Sequence, residues 1–117
     1  MSAEVEVGRS SELDELLQLC PELQQAEEAG VMYYLLPQLA MPTGVTPARV
    51  DALLCPTPRD GYQSRLYLSD RVAGGKQLLN WNAQIRVLER NWQAVSYRTP
   101  GGLRLAQMVA IHLGAFR

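Results

Sequence analysis

The amino-acid sequence predicts an α+β fold, in which helices at both ends of the chain cover one face of an antiparallel sheet of three to four strands. Apolar residues recur at helical spacing near each end, whereas the middle holds aromatic and β-branched runs separated by turn residues. The chain has 117 residues, of which 47% are hydrophobic and 20% charged. These values predict one globular domain over residues 1–117, with residues 1–9 expected to be flexible.

The first helix is predicted to begin at Ser11, which caps it together with Asp14, and to end near Pro21. Its apolar residues follow a helical period and include Leu13, Leu16, Leu17, Cys20 and Leu23. The sequence therefore places Cys20 in the core.

Three strands are predicted next, at 31–37 (VMYYLLP), 49–56 (RVDALLCP) and 64–72 (SRLYLSDRV). The segment RDGY supplies a turn, because Asp-Gly accepts the positive φ that tight turns require. Residues 73–84 read as a connection. Residues 85–97 fit no single period, and we expect an extended segment or short turn leading to a strand around Trp92 to Tyr97.

The closing helix is predicted to have Thr99 as its cap and Pro100 as its first residue. Its buried side is predicted to contain Leu105, Val109, His112 and Phe116, joined by Met108 and Leu113.

Composition excludes several functions. No apolar run approaches the roughly 20 residues needed to cross a bilayer, and the start of the chain lacks an export signal, so we expect a cytoplasmic protein without a membrane partner. Two cysteines and one histidine predict no metal site, and no glycine-rich phosphate loop is present, so no cofactor is expected.

Charge is distributed unevenly. Residues 1–30 carry eight acids and one arginine, a net charge of −7, which leaves +6 for the remainder. The arginine-rich remainder reads as a protein-facing surface or a solvated face, and it is too weakly basic to predict nucleic-acid binding.

The segment LNWN (79–82) places two asparagines around Trp81. Asn80 and Asn82 could donate hydrogen bonds to an oxyanion, or they could make turn hydrogen bonds while Trp81 fills the core. His112, the sole histidine, reads as a partly buried core residue or as a catalytic base.

Taken in order, VDALLCPTPRDGYQSRLYL, LNWN, NWQAVSYR and the helix after TPGG resemble the ubiquitin-conjugating (UBC-like) fold, from about Leu13 to Phe116. The resemblance is to divergent bacterial members of that superfamily. It implies two partners, a ubiquitin-like modifier and its activating enzyme. It also implies that Cys55 packs in a central strand, away from the reaction centre.

The resemblance places the nucleophile between Asn82 and Pro100, a window without cysteine, and the family's His-Pro-Asn signature is missing as well. One interpretation is an acyl carrier that forms an oxygen ester on Ser96, with Thr99 as the next candidate. Asn82, or Asn80, and Arg98 would then stabilise the oxyanion, and His112 would be the base. The other interpretation is a catalytically inactive adaptor that binds the modifier or its activating enzyme.

The resemblance also implies that the first helix faces the activating enzyme. We therefore expect Glu12, Asp14 and Glu15 to meet a basic surface on that partner.

Overall fold

The computed structural model describes residues 3–75 and 79–117, with only the backbone considered for residues 3–10. Two helices and six strands follow one another as α1 (Ala3–Leu19), β1 (Gln24–Glu28), β2 (Val31–Ala40), β3 (Arg49–Cys55), β4 (Arg65–Leu68), β5 (Trp81–Val87), β6 (Arg90–Val95) and α2 (Leu105–Leu113), and a 3₁₀ turn (Gly114–Phe116) ends the chain. The predicted α+β class is confirmed. The prediction of three to four strands is wrong, because the sheet has six.

The sheet is antiparallel, with strand order β1-β2-β3-β4-β6-β5. Two tight hairpins build its outer parts. Ala29 and Gly30 connect β1 to β2 with φ of 53° and 81°, and Leu88 and Glu89 connect β5 to β6 with φ of 55° and 63°. Two consecutive positive φ values indicate type I′ turns, whose twist matches that of the strands they join.

Each face of the sheet buries its own apolar cluster. The helix-side cluster packs α1, α2 and the 3₁₀ turn against the sheet, and it includes Leu16, Leu36, Leu68, Leu105 and Phe116. The second cluster, on the opposite face, includes Tyr33, Leu53, Cys55, Tyr67 and Trp92, and no helix residue whose side chain is described belongs to it.

Curling of the sheet encloses this second cluster. The Leu88 N–H, in the β5–β6 turn, donates to the Glu28 carboxylate at the end of β1, at 3.1 Å. Glu28 ends β1 and Leu88 directly follows β5, and these two strands lie at opposite ends of the strand order. The contact therefore shows that the two edges approach each other, which explains how Trp92 is 0% exposed without a helix above it.

Both helices begin at residues other than those predicted. α1 extends back to Ala3, so residues 3–9 lie in a helix, while residues 1 and 2 of the segment expected to be flexible lie outside the described residues. α2 begins only at Leu105, because residues 99–104 run without helical turns and the Arg104 N–H donates to the Gln107 side-chain oxygen at 2.8 Å. Thr99 is therefore not the helix cap.

The predicted burial of the closing helix is confirmed. Leu105, Val109, His112 and Phe116 are all buried, and Met108 and Leu113 pack against the same cluster. In the described part of the chain, neither helix is long and apolar enough to cross a membrane.

Candidate functional site

A group of polar side chains meets at the end of the sheet where β4 and β5 begin and β6 ends. Ser96 immediately follows β6, Asn82 is the second residue of β5, and Arg65 opens β4. All three lie around Tyr62, in the segment between β3 and β4. With Arg98 they form what we call the Tyr62 cluster: Tyr62, Arg65, Asn82, Ser96 and Arg98.

The Tyr62 hydroxyl lies at the centre of the cluster. The Ser96 hydroxyl oxygen lies 2.8 Å from it, and the Asn82 side-chain N–H donates to it at 3.0 Å. Asn82 donates to a lone pair of the phenolic oxygen. The phenolic O–H therefore remains available as a donor, and the phenol can exchange a proton with Ser96. Ser96 and Asn82 are exposed, so a partner protein can reach both residues that hydrogen-bond to the phenol.

Two guanidinium groups contact the Tyr62 ring. Arg65 is 2% exposed and lies 4.0 Å from the ring centre, and Arg98 lies 4.9 Å from it. Arg65 donates to the Asn82 side-chain oxygen at 2.6 Å and to the Val95 carbonyl at 3.1 Å, which fixes the Asn82 amide. Arg98, which is exposed, donates to the Gly61 carbonyl at 2.9 Å.

These contacts favour ionisation of the phenol. Hydrogen bonds with Ser96 and Asn82, followed by the positive charges of Arg65 and Arg98, lower the pKa of Tyr62 despite its burial.

Local backbone features place these side chains. Arg59 and Tyr62 exchange two backbone hydrogen bonds, at 2.8 and 2.9 Å, across a turn in which Asp60 and Gly61 have φ of 54° and 85°. The turn predicted from RDGY is thus confirmed. The β5–β6 register shifts between Trp81 and Ala83, a bulge that re-aims Asn82.

His112 lies in a separate cluster. Its imidazole Nε2 is 2.9 Å from the Ser64 hydroxyl, which in turn lies 3.4 Å from that of Thr99. Burial, and then the charge of Arg65, lower the pKa of His112 to about 4. His112, Ser64 and Thr99 are all buried.

The pleat of β4 separates the two clusters. Leu66 and Leu68 belong to the helix-side cluster, whereas Tyr67 belongs to the second cluster. Because side chains alternate along a strand, Ser64 lies on the helix side with His112, and Arg65 lies on the opposite face. The structure therefore brings Ser96, Asn82 and Arg98 together and holds His112 apart from them.

Both cysteines are internal. Cys55 is 0% exposed and its sulfur lies 3.7 Å from the Thr57 carbonyl, so its predicted burial in a central strand is confirmed. Cys20 is buried as predicted, its sulfur lies 3.5 Å from the Pro37 carbonyl, and burial raises the pKa of its thiol. The Asn80 carbonyl accepts a hydrogen bond from the Ser96 N–H at 2.7 Å.

Two members of the Tyr62 cluster have roles that the sequence did not reveal. Tyr62 was visible as part of the RDGY turn and of the segment that carries the resemblance, and Arg65 only as a member of the predicted strand 64–72. Their convergence with Asn82 and Ser96 depends on sheet pairing between distant segments. Among the described residues, no group of three or more histidine, cysteine or acidic side chains could hold a metal ion.

Comparison of the chain with protein-family models, with curated proteins and with solved structures finds no match.

Proposed function

We propose that this chain is a UBC-like acyl carrier in a bacterial ubiquitin-like conjugation pathway, and that it holds the modifier's C-terminal carbonyl as an oxygen ester on Ser96. One observation carries the proposal. Ser96, Asn82 and Arg98, selected from the sequence as a single reaction centre, all contact the side chain of Tyr62.

The reaction is a transfer between two esters. The Ser96 oxygen attacks the carbonyl carbon of a modifier held as a thioester on its activating enzyme. The new bond joins that carbon to Oγ, and the carbon–sulfur bond breaks. Tyr62, 2.8 Å from Ser96, accepts the serine proton while it releases its own proton to the departing sulfur, so the phenol is unchanged.

Arg98 is the best-placed stabiliser of the developing oxyanion. A guanidinium carries five N–H donors, and among the described residues Arg98 donates one hydrogen bond, to Gly61. Asn82 orients Tyr62 through its amide, and Arg65 orients Asn82. His112 bonds to Ser64 on the other side of the sheet, so the proposal assigns proton transfer to Tyr62 in its place.

The test is an adduct assay with the modifier, its activating enzyme and ATP. The expected adduct is labile to base, resistant to thiols and absent from Ser96→Ala. Tyr62→Phe should form it at least about a hundredfold more slowly, the lower limit for loss of a general acid–base group. Cys55→Ala is the matched control and should form the adduct normally.

The second candidate is a catalytically inactive adaptor that binds the modifier or its activating enzyme. It is favoured by the fact that Tyr62 is only 8% exposed and packs against two arginines, a suitable structural role for the same side chain. Binding of the modifier without an adduct would support the adaptor. An adduct that survives in Ser96→Ala and disappears in Cys55→Ala would refute the serine ester.

A further inference from the structure

Strand β5 is an open edge of the sheet. It is the last strand in the order, and β6 is its partner among the described strands. Among the described residues, the Glu28–Leu88 contact lies at the turn end of β5 and leaves the rest of the edge open. The opposite end of the strand reaches the Tyr62 cluster through Asn82.

The turn geometry identifies the backbone groups that face outward. In a two-residue hairpin the flanking residues, here Val87 and Arg90, exchange hydrogen bonds, and such pairs alternate along an antiparallel ladder. Ile85 therefore bonds to Trp92, while the N–H and C=O groups of Gln84 and Arg86 point away from β6. They form a template for one more strand.

The side chains of β5 indicate that the second apolar cluster is incomplete at this edge. On β6, Trp92 and Ala94 are 0% and 2% exposed. Their partners on β5, Ile85 and Ala83, are only half-buried although they pack on the same cluster. An added strand with apolar residues on that face would cover them, and its alternate residues would meet the exposed Gln84 and Arg86.

The direction of an added strand follows from the position of the Tyr62 cluster. β5 starts at this cluster and runs away from it. A segment that pairs antiparallel with β5 therefore runs towards the cluster and brings its C-terminus beside Asn82. Ser96 and Arg98 follow β6 and contact Tyr62, so the last residues of the segment would continue past Asn82 to reach them, and the exposed guanidinium of Arg98 suits a terminal carboxylate.

We propose that the open edge of β5 binds the C-terminal tail of the modifier as an added antiparallel strand with alternating apolar and polar residues, and that the last residues of the tail continue past Asn82 to place the terminal carboxyl at Ser96. This binding mode rests on the proposed function, because it takes the tail to be the acyl group. It also explains how a shallow, exposed serine would receive its substrate in a fixed direction.

The test uses isotope-labelled protein and the peptide acetyl-Glu-Val-Thr-Val-Ser-Ala with a free C-terminal carboxylate. In this register its glutamate meets Arg86, its valines cover Ile85 and Ala83, and its threonine meets Gln84. At millimolar peptide, amide exchange should slow at Gln84 and Arg86, which exchange fast in the free protein. Exchange at Ile85 should be slow throughout. The same peptide with a C-terminal amide should bind more weakly.

Two variants of one residue isolate the backbone contact. Gln84→Pro removes an outward N–H, which proline permits on an edge strand, and should weaken peptide binding about fivefold. Gln84→Ala keeps that N–H and should bind like the unmodified chain. Amide spectra of both variants establish that the sheet remains folded.

The possible outcomes are distinct. Peptide binding without slower exchange at Gln84 and Arg86, equal binding by Gln84→Pro, or no binding at millimolar peptide would overturn the proposal. Protection that appears on raising the protein concentration alone, with a dimer in sedimentation, would assign the edge to a second copy instead.

Ser96→Ala separates this inference from the proposed function. It should bind the peptide normally while forming no adduct. If the peptide binds at β5 but the unmodified chain forms no adduct, the proposed acyl-carrier function is refuted and the binding mode stands. If an adduct forms but the peptide binds elsewhere, binding of the tail at the β5 edge is refuted and the acyl-carrier function stands.

Discussion

Two buried tyrosines on the same face of the sheet differ in one hydrogen bond. The Tyr33 hydroxyl accepts from Arg59 at 2.7 Å. The Tyr67 hydroxyl has no partner among the described residues, and its burial raises the pKa of the phenol to about 12. A buried hydroxyl without a partner destabilises the fold, because it has lost its hydrogen bond to water.

Removal of these hydroxyls should therefore have opposite effects. Tyr67→Phe should raise the free energy of unfolding by about 1 kcal/mol, and Tyr33→Phe should lower it by about 1.5 kcal/mol, because Arg59 loses a charged hydrogen bond. Urea unfolding measures both. Destabilisation by Tyr67→Phe would reveal a partner for its hydroxyl, such as an ordered water.

The sequence predicted individual site residues unevenly. Asn82 came from the LNWN segment, and Ser96 and Arg98 came from the stretch before the closing helix, so each was found from its neighbours along the chain. Tyr62 and Arg65 join them across 34 and 17 positions, respectively, through strand pairing that no local pattern specifies. The sequence correctly predicted that His112 lies on the buried side of its helix. Which face of the sheet this side packs against depends on the topology of all six strands, and no local pattern predicts it.

At the level of elements, strands were predicted where apolar and β-branched residues are dense, as in β2, β3 and β4. β1 was missed because its sequence, QQAEE, is polar, and it forms by pairing with β2 across a tight turn. β5 was missed because the bulge at Asn82 breaks its alternation and because Leu-Glu is an unusual pair for a type I′ turn.

The junction of α1 and α2 also depends on contacts between distant residues. The Glu12 carboxylate accepts a hydrogen bond from the Leu105 N–H at 3.2 Å, where it caps the start of α2. Glu15 pairs with Arg104 at 2.8 Å. Of the three acids expected to face the activating enzyme, Asp14 is therefore the one whose charge reversal probes docking without disturbing this junction.

Glu12→Ala should lower the free energy of unfolding by about 1 kcal/mol, because the first turn of α2 loses an acceptor for its N–H. Asp14→Ala, on the exposed side of the same helix, should change it by less than about 0.5 kcal/mol. Thermal unfolding of the pair provides the comparison. Equal effects of the two substitutions would show that the carboxylate acts only through overall charge.

For the molecule as a whole, the buried His112 couples stability to pH. Its pKa falls from an ordinary 6.5 to about 4 in the folded chain, while the unfolded chain keeps the ordinary value. Between these values the unfolded state binds more protons, so stability decreases as the pH falls.

The free energy of unfolding should therefore drop by about 3 kcal/mol between pH 6.5 and about 4, in addition to the contribution of carboxyl groups. His112→Gln removes the titrating group and should flatten that part of the profile. Denaturant titrations across the range measure both proteins. Profiles that remain parallel would mean that His112 has the same pKa in the folded and the unfolded chain.

The two cysteines of the chain are both buried, whereas the hydroxyl of Ser96 is exposed at the proposed reaction centre. A carrier built in this way presents oxygen, not sulfur, to its surroundings. Peroxide and alkylating reagents inactivate enzymes by modifying exposed thiols, and the folded protein exposes no thiol to them. The proposed transfer would then continue under oxidative stress, limited by the activating enzyme and not by this chain.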